Sequence, residues 1–242
     1  MYYGKTESIL ASVSHRQYPL PQRPWKQYQE WHGNIFMHWK SDAASLASLL
    51  PKGLELDLIH GEAWISIVAF SVRKLHPRIF PPLSFYSDFH EVNVRTYVRR
   101  NGIPGIYFLS IEAQKLLPVF FARLLTGLPY VKSEISRQQQ AYHSCNKEKM
   151  LKLDIAYELQ KPFIEKTELD SWLTERHALY LAKRARLHRI DVHHKEWPLQ
   201  DIELRPKVVR YPLVGNGHYE DLPDKMHYAQ EVTALLWGSK EC

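Results

Sequence analysis

Cysteine is nearly absent from this 242-residue chain: only Cys145 and Cys242 occur, far apart and one of them terminal. That is too little for a disulfide framework and suits a reducing compartment. No Cys-x-x-Cys and no His-x-x-x-His pair is present to start a metal site. His193 and His194 are adjacent, so a regular strand would point them to opposite faces; no metal and no cofactor is expected. Glycine-rich phosphate loops and a Gly-x-Ser-x-Gly nucleophile elbow are also missing. "GNGHYE" from Gly215 is too short to count as a phosphate loop. The longest greasy run, "LLPVFFARLL" from Leu116 to Leu125, contains a proline and an arginine and is far shorter than the ~20 residues of a membrane span. The first twenty residues carry Lys5 and Arg16 instead of an apolar signal core, so a cytoplasmic protein without a membrane partner is expected.

What is present describes an ordinary globular domain, with 45% apolar and 24% charged residues, enough to bury a core without staples. The net charge of +6 is mostly scattered. Its one dense cluster, "KRARLHR" from Lys183 to Arg189, reads as a solvated extended segment, and nucleic acid is not the expected partner. Residues 1–24, ending in a proline-rich stretch, read as an N-terminal strap or tail, and 25–242 as one domain. Asp42 is placed to cap a short helix over "AASLASLL", and Thr167 a second over "ELDSWLTERHALYL"; "KLLPVFFARLLTG" reads as a third, buried helix ended by Gly127. The remaining apolar segments alternate or run short between turns, giving about ten strands. Without a regular strand–helix–strand rhythm, the fold class is α+β, mainly antiparallel β, closed or folded on itself.

The clearest strand is "HEVNVRTYVRR". Val92, Val94, Thr96 and Val98 fall on one face; Glu91, Asn93, Arg95, Tyr97 and Arg99 fall on the other. "NGIPG" turns it into an antiparallel partner, "IYFLSIEA", which is apolar on both faces apart from Tyr107, Ser110 and Glu112. If the valines face the core, the second face is directed either to water or into a ligand-holding interior. With so apolar a neighbour, Arg95 is expected to be buried. Glu112 is then either its structural counter-charge or part of the same pocket.

"FHEVNVRTYVRRNGIPGIYFLSIEA" followed by "ARLLTGLPYVKSEI" resembles the bacterial domain-of-unknown-function family 2071, the YqjF-like proteins. The segments "FMHWKSDAASLASLLPKGLELDLIHGEAWISIVAF", "SWLTERHALY", "VHHKEWPLQ" and "MHYAQEVTALLW" agree, so the resemblance covers the chain from about Trp25 onward. It implies an acetoacetate decarboxylase-like β-barrel with a few peripheral or covering helices and a closed internal pocket; the family has no established activity. Acetoacetate decarboxylases carry Gly-x-Pro followed by two lysines, the first of which forms a Schiff base. Gly127 and Pro129 match that pattern here, but Tyr130 and Val131 stand at the lysine positions and cannot form an imine. The expected function is therefore a small-molecule pocket for a keto or carboxylic compound, without Schiff-base decarboxylation. The alternative is a non-catalytic sensing or interaction module on the same barrel. The expected ligand-binding residues are Arg95, Tyr130 and Glu112, supported by Asn93, Tyr97 and Lys132, with His193 at the barrel rim.

Overall fold

Every residue from Glu91 to Val98 of strand β4 (Phe89–Arg100) is buried, which requires a layer of protein on each side of it. The computed structural model, which describes residues 2–82, 87–115, 128–184, 186–212 and 222–242, shows how both layers arise. The long strands β1 (Gln27–Ser41), β3 (Ala63–Pro77) and β4 run antiparallel side by side. β4 continues into β5 (Ile103–Ala113) through a turn at Asn101 and Gly102, both at positive φ. β5 pairs in parallel with β10 (Ala178–Lys183), β10 pairs with β11 (Arg186–His193), and β11 touches β13 (Lys225–Leu236) at Val192 and His193. β13 pairs along β1, so seven strands form a closed ring.

Strand β13 also leads outward into a second run: β12 (Leu199–Arg210), β9 (Leu151–Pro162), β8 (Ala141–Asn146) and β7 (Glu134–Gln138). This layer folds over the outside of β1, β3 and β4. Ile35 and Met37 of β1, Ile65 and Ile67 of β3, and Val92 and Val94 of β4 pack there against Tyr142, Leu153, Ile155 and Leu204. Strand side chains alternate between faces, so Phe36 and His38, Ser66 and Val68, and Asn93 and Arg95 turn the other way, into the ring. The short strands β2 (Glu55–Leu56), β6 (Tyr130–Lys132) and β14 (Lys240–Glu241) attach to β4, β5 and β11.

Three helices occur among the described residues. α1 (Tyr2–Ala11) lies within the N-terminal segment, and its Ile9 packs against Tyr28, Leu235 and Trp237. α2 (Ala43–Ser48) is capped by Asp42, whose carboxylate accepts from the Ser45 amide. α3 (Glu168–Thr174) starts as expected at a Thr167–Asp170 capping box but stops at Thr174. The rest of the expected helix is β10, because Ala178–Lys183 pairs along β11 and with β5; tertiary pairing overrides a periodicity that fits both states. The expected helix over Leu116–Gly127 lies outside the described residues. Lys183–Arg189 is not one extended segment: Arg184 has a positive φ at the β10–β11 turn. No helix among the described residues is long and apolar enough to cross a membrane.

Candidate functional site

The cross-strand register stacks polar side chains in rows across the inner wall of the ring. His38 of β1 lies beside Ser66 of β3, Ser66 beside Arg95 of β4, and Arg95 beside Phe108 of β5. One level along, His227 of β13, Phe36, Val68 and Asn93 form the next row. Residues paired across strands point the same way, so Arg95, Asn93 and Tyr97, which alternation places on one face, turn into this interior. Arg95 is 8% exposed. One of its terminal nitrogens donates to the Leu173 carbonyl at 3.4 Å, its guanidinium lies 5.6 Å from the Phe36 ring, and its Nε has no partner. Among the described residues no carboxylate pairs with it. A buried guanidinium with no counter-charge is costly unless something else supplies one.

Tyr97 joins a longer file. Its hydroxyl lies 3.0 Å from the Leu173 carbonyl and 2.6 Å from Ser66 Oγ. Ser66 Oγ is 2.6 Å from His38 Nδ1, His38 Nε2 is 3.1 Å from His227 Nδ1, and His227 Nε2 is 2.8 Å from Asp170. Burial lowers the pKa of both histidines. With both rings neutral, one set of tautomers satisfies the file from Ser66 to Asp170: Ser66 donates to His38, His38 to His227, and His227 to Asp170. Lys225, 30% exposed in its side chain, closes the outer end at 2.9 Å from Asp170. Asp170 is desolvated, which alone would raise its pKa. The bonds from His227, Thr167 and Lys225 outweigh that and hold its carboxyl well below the usual range. Beside the file, Arg176 lies 4.1 Å from the Trp172 ring and pairs with the buried Asp57 at 2.5 Å.

A second polar group on the same inner face is Glu91. Its carboxyl receives the Tyr130 hydroxyl at 3.1 Å and the Asn93 amide at 3.4 Å. Burial raises its pKa to about 7, against the opposing pull of those two bonds. Burial and the nearby Glu91 carboxyl push the Tyr130 hydroxyl far up, so it stays protonated and donates to Glu91. Tyr130 therefore belongs to the interior cluster, and Glu91 is its partner. Sequence reasoning passed over Glu91, although its place two residues before Asn93 puts it on the same face.

Three of the expected residues lie elsewhere. A two-residue turn at Asn101–Gly102 would by simple counting put Glu112 opposite Glu91, on the Arg95 face. Instead β5 carries a bulge: Arg95 pairs with Phe108 but Val94 with Ser110, leaving Leu109 extra. One inserted residue turns every later side chain over. Glu112 therefore faces the outer core, where it is 0% exposed and receives Ser144 Oγ at 2.9 Å. It is neither Arg95's counter-charge nor its neighbour. Lys132 is exposed on β6, so nothing buries its amine. His193 is fully buried, with Nε2 2.8 Å from the Ile9 carbonyl and Nδ1 accepting from Arg16 at 3.0 Å. It ties down the N-terminal segment and does not face Arg95.

Among the described residues, two depressions at the surface are well defined, and neither is lined by Arg95, Asn93 or Glu91. One, of about 250 Å³, lies where β5 and β10 diverge and is bordered by Phe108, Leu128, Pro129 and Leu181. The other, of about 530 Å³, lies beside His32, Arg73, His90 and Arg137.

Domain-of-unknown-function family 2071, described as an uncharacterized conserved protein, matches residues 28–233. The uncharacterized protein YqjF of Bacillus subtilis is 38% identical over 228 residues, covering 90% of this chain and 93% of that one. Among solved structures, an acetoacetate decarboxylase-like enzyme from Sphingomonas wittichii RW1 superposes with a TM-score of 0.64 at 12% identity, over 96% of this chain and 98% of that one. The acetoacetate decarboxylase of Legionella pneumophila gives 0.59 at 14%, over 97% and 94%. The enduracididine biosynthesis enzyme MppR, complexed with pyruvate, gives 0.60 at 11%, over 93% of each chain. At these identities the likeness shows a shared acetoacetate decarboxylase-like fold.

Proposed function

The chain belongs to the YqjF-like family, domain-of-unknown-function family 2071, and we propose that it binds a small keto or carboxylic compound inside the ring. Arg95 anchors the carboxylate, because a planar guanidinium offers two parallel donors to it. Tyr130 and the protonated Glu91 donate to the carbonyl, and Asn93 and Tyr97 border the ligand. The observation that carries this reading is the buried Arg95, which has no acidic partner among the described residues and keeps an idle Nε–H. An incoming carboxylate supplies the missing counter-charge. MppR, which shares the fold, has been seen with pyruvate, a small keto acid. Access is through the depression beside β10, since Phe108 borders it and stands next to Arg95 in register.

With a titration near neutrality, Glu91 is suited to an acid or base step on the bound carbonyl. A Schiff base has no place in this reading: Tyr130 and Val131 follow Pro129, and Lys132 is exposed. The competing reading is a non-catalytic sensing or interaction module, and it draws on the depressions lying outside the ring. Thermal unfolding against a panel of keto acids, plain carboxylates and neutral carbonyl compounds separates them. A ligand at about 100 times its Kd adds roughly 2.7 kcal/mol, a rise of about 5–10 °C for a domain of this size. The rise is expected with keto acids and is lost in Arg95→Met. No rise with any compound, or the same rise in the variant, would sink the proposal.

A further inference from the structure

Away from Arg95, four histidines converge where the N-terminal segment crosses the ends of α3 and β11. His15 lies 5.2 Å from His177, 5.8 Å from His193 and 6.2 Å from His194 between ring centroids; His177 lies 4.9 Å from His194. Glu175, the residue that ends α3, joins them with 2% exposure. A ring nitrogen each of His15 and His194 and a carboxylate oxygen of Glu175 lie within 4.8 Å of one another. We propose that His15, Glu175 and His194 form a binding site for a divalent transition-metal ion.

The hydrogen bonds around these residues leave the lone pairs a metal needs. His15 Nε2 lies 2.8 Å from the His194 carbonyl, and His194 Nδ1 lies 2.7 Å from the Lys195 carbonyl. A carbonyl can only accept, so both nitrogens are N–H donors, and each ring keeps a lone pair on its other nitrogen. Backbone anchoring of the second nitrogen is how ligating histidines are usually oriented. Glu175 Oε1 receives Lys166 at 2.7 Å and the Trp197 amide at 2.9 Å, whereas Oε2 is buried without a partner. His177, 0% exposed, has no partner on either nitrogen and lies 3.9 Å from Glu175 Oε2. Buried polar atoms are rarely left unpaired. One cation would satisfy Oε2 and the two lone pairs together, with His177 beside it as an outer partner or fourth ligand. Two imidazoles and one carboxylate suit zinc or ferrous iron better than calcium or magnesium.

A second triad, His15, His177 and His193, is also close enough for a shared ion. It is excluded chemically, since the cationic Arg16 already holds the only free lone pair of His193. The two triads give different results under mutation. Protein stripped with a chelator is titrated with Zn2+, and in parallel with Fe2+ under anaerobic conditions, by calorimetry. One equivalent of at least one metal is expected to bind. His15→Gln, on the partly exposed segment, and His194→Gln should each weaken it by more than about 10–100-fold, the range seen for outer-shell changes. His193→Gln should retain it. Circular dichroism of each stripped variant confirms folding, and a variant that fails it is replaced by Glu175→Gln. No stoichiometric uptake, uptake unchanged by His15→Gln, or loss in His193→Gln alone would overturn the assignment.

Discussion

Glu91→Gln should stabilise the protein at alkaline pH and change little at acid pH. Glu91 is 5% exposed, and burial lifts its pKa from 4.5 to about 7. A carboxyl raised in the folded state ionises first in the unfolded chain. Folding is therefore unaffected by it below about pH 4.5, weakens as pH rises through the window from 4.5 to 7, and levels off above it. The gap between the two values corresponds to about 3 kcal/mol at pH 8 and less than about 1 kcal/mol at pH 5. The glutamine side chain cannot ionise. It can still accept from Tyr130, and a half-turn of the Asn93 amide brings its unpartnered Oδ1 round to accept from the new amide. Urea unfolding of both proteins between pH 5 and pH 8 isolates the effect, because every other titrating group is common to the pair. The variant should gain on the parent steadily, reaching about 3 kcal/mol, or a thermal midpoint about 6–12 °C higher at pH 8. Parallel stability curves would show that Glu91 does not titrate in a buried site.

Asp57→Ala removes the partner of Arg176, which is itself 5% exposed. It should lower stability by about 3–5 kcal/mol in urea unfolding, and a loss under about 1 kcal/mol would show that water reaches the guanidinium. Asp170 works in the opposite pH direction to Glu91. Its depressed pKa contributes stability above about pH 4 that is lost as the pH falls, so Asp170→Asn should flatten acid unfolding, and an unchanged acid limb would refute the His227–Asp170–Lys225 arrangement. Incubation with acetoacetate and borohydride should leave the intact mass unchanged; an adduct on Lys132 would restore Schiff-base chemistry.

The polar face of β4 was legible because β-branched residues alternate from Val92 through Val94 and Thr96 to Val98, and Asn101–Gly102 announced the turn that follows. The same counting misplaced Glu112, since nothing in "IYFLSIEA" marks Leu109 as the bulged residue. The helix continuing past Thr174 was misread because Ala178–Leu181 suits helix or strand, and only its pairing with β5 and β11 decides. The capping residues Asp42 and Thr167 act locally, and both were found. His38, Ser66, Asp170 and His227 come from four separate elements, as do His15, Glu175 and His194 from three. No spacing within a segment can bring such residues together. Glu91 was on the page as part of the alternation, but its shifted acidity comes from burial on both sides of β4.

The most direct test is calorimetric titration of pyruvate into the wild-type protein and into Arg95→Met. One saturable site is expected in the wild type and none in the variant. The apo variant should be more stable than the parent, because an unpaired buried charge has been replaced by an apolar chain of similar length. Equal binding in both proteins, or a variant that loses stability and keeps its ligand, would contradict the assignment of Arg95 as the anchor.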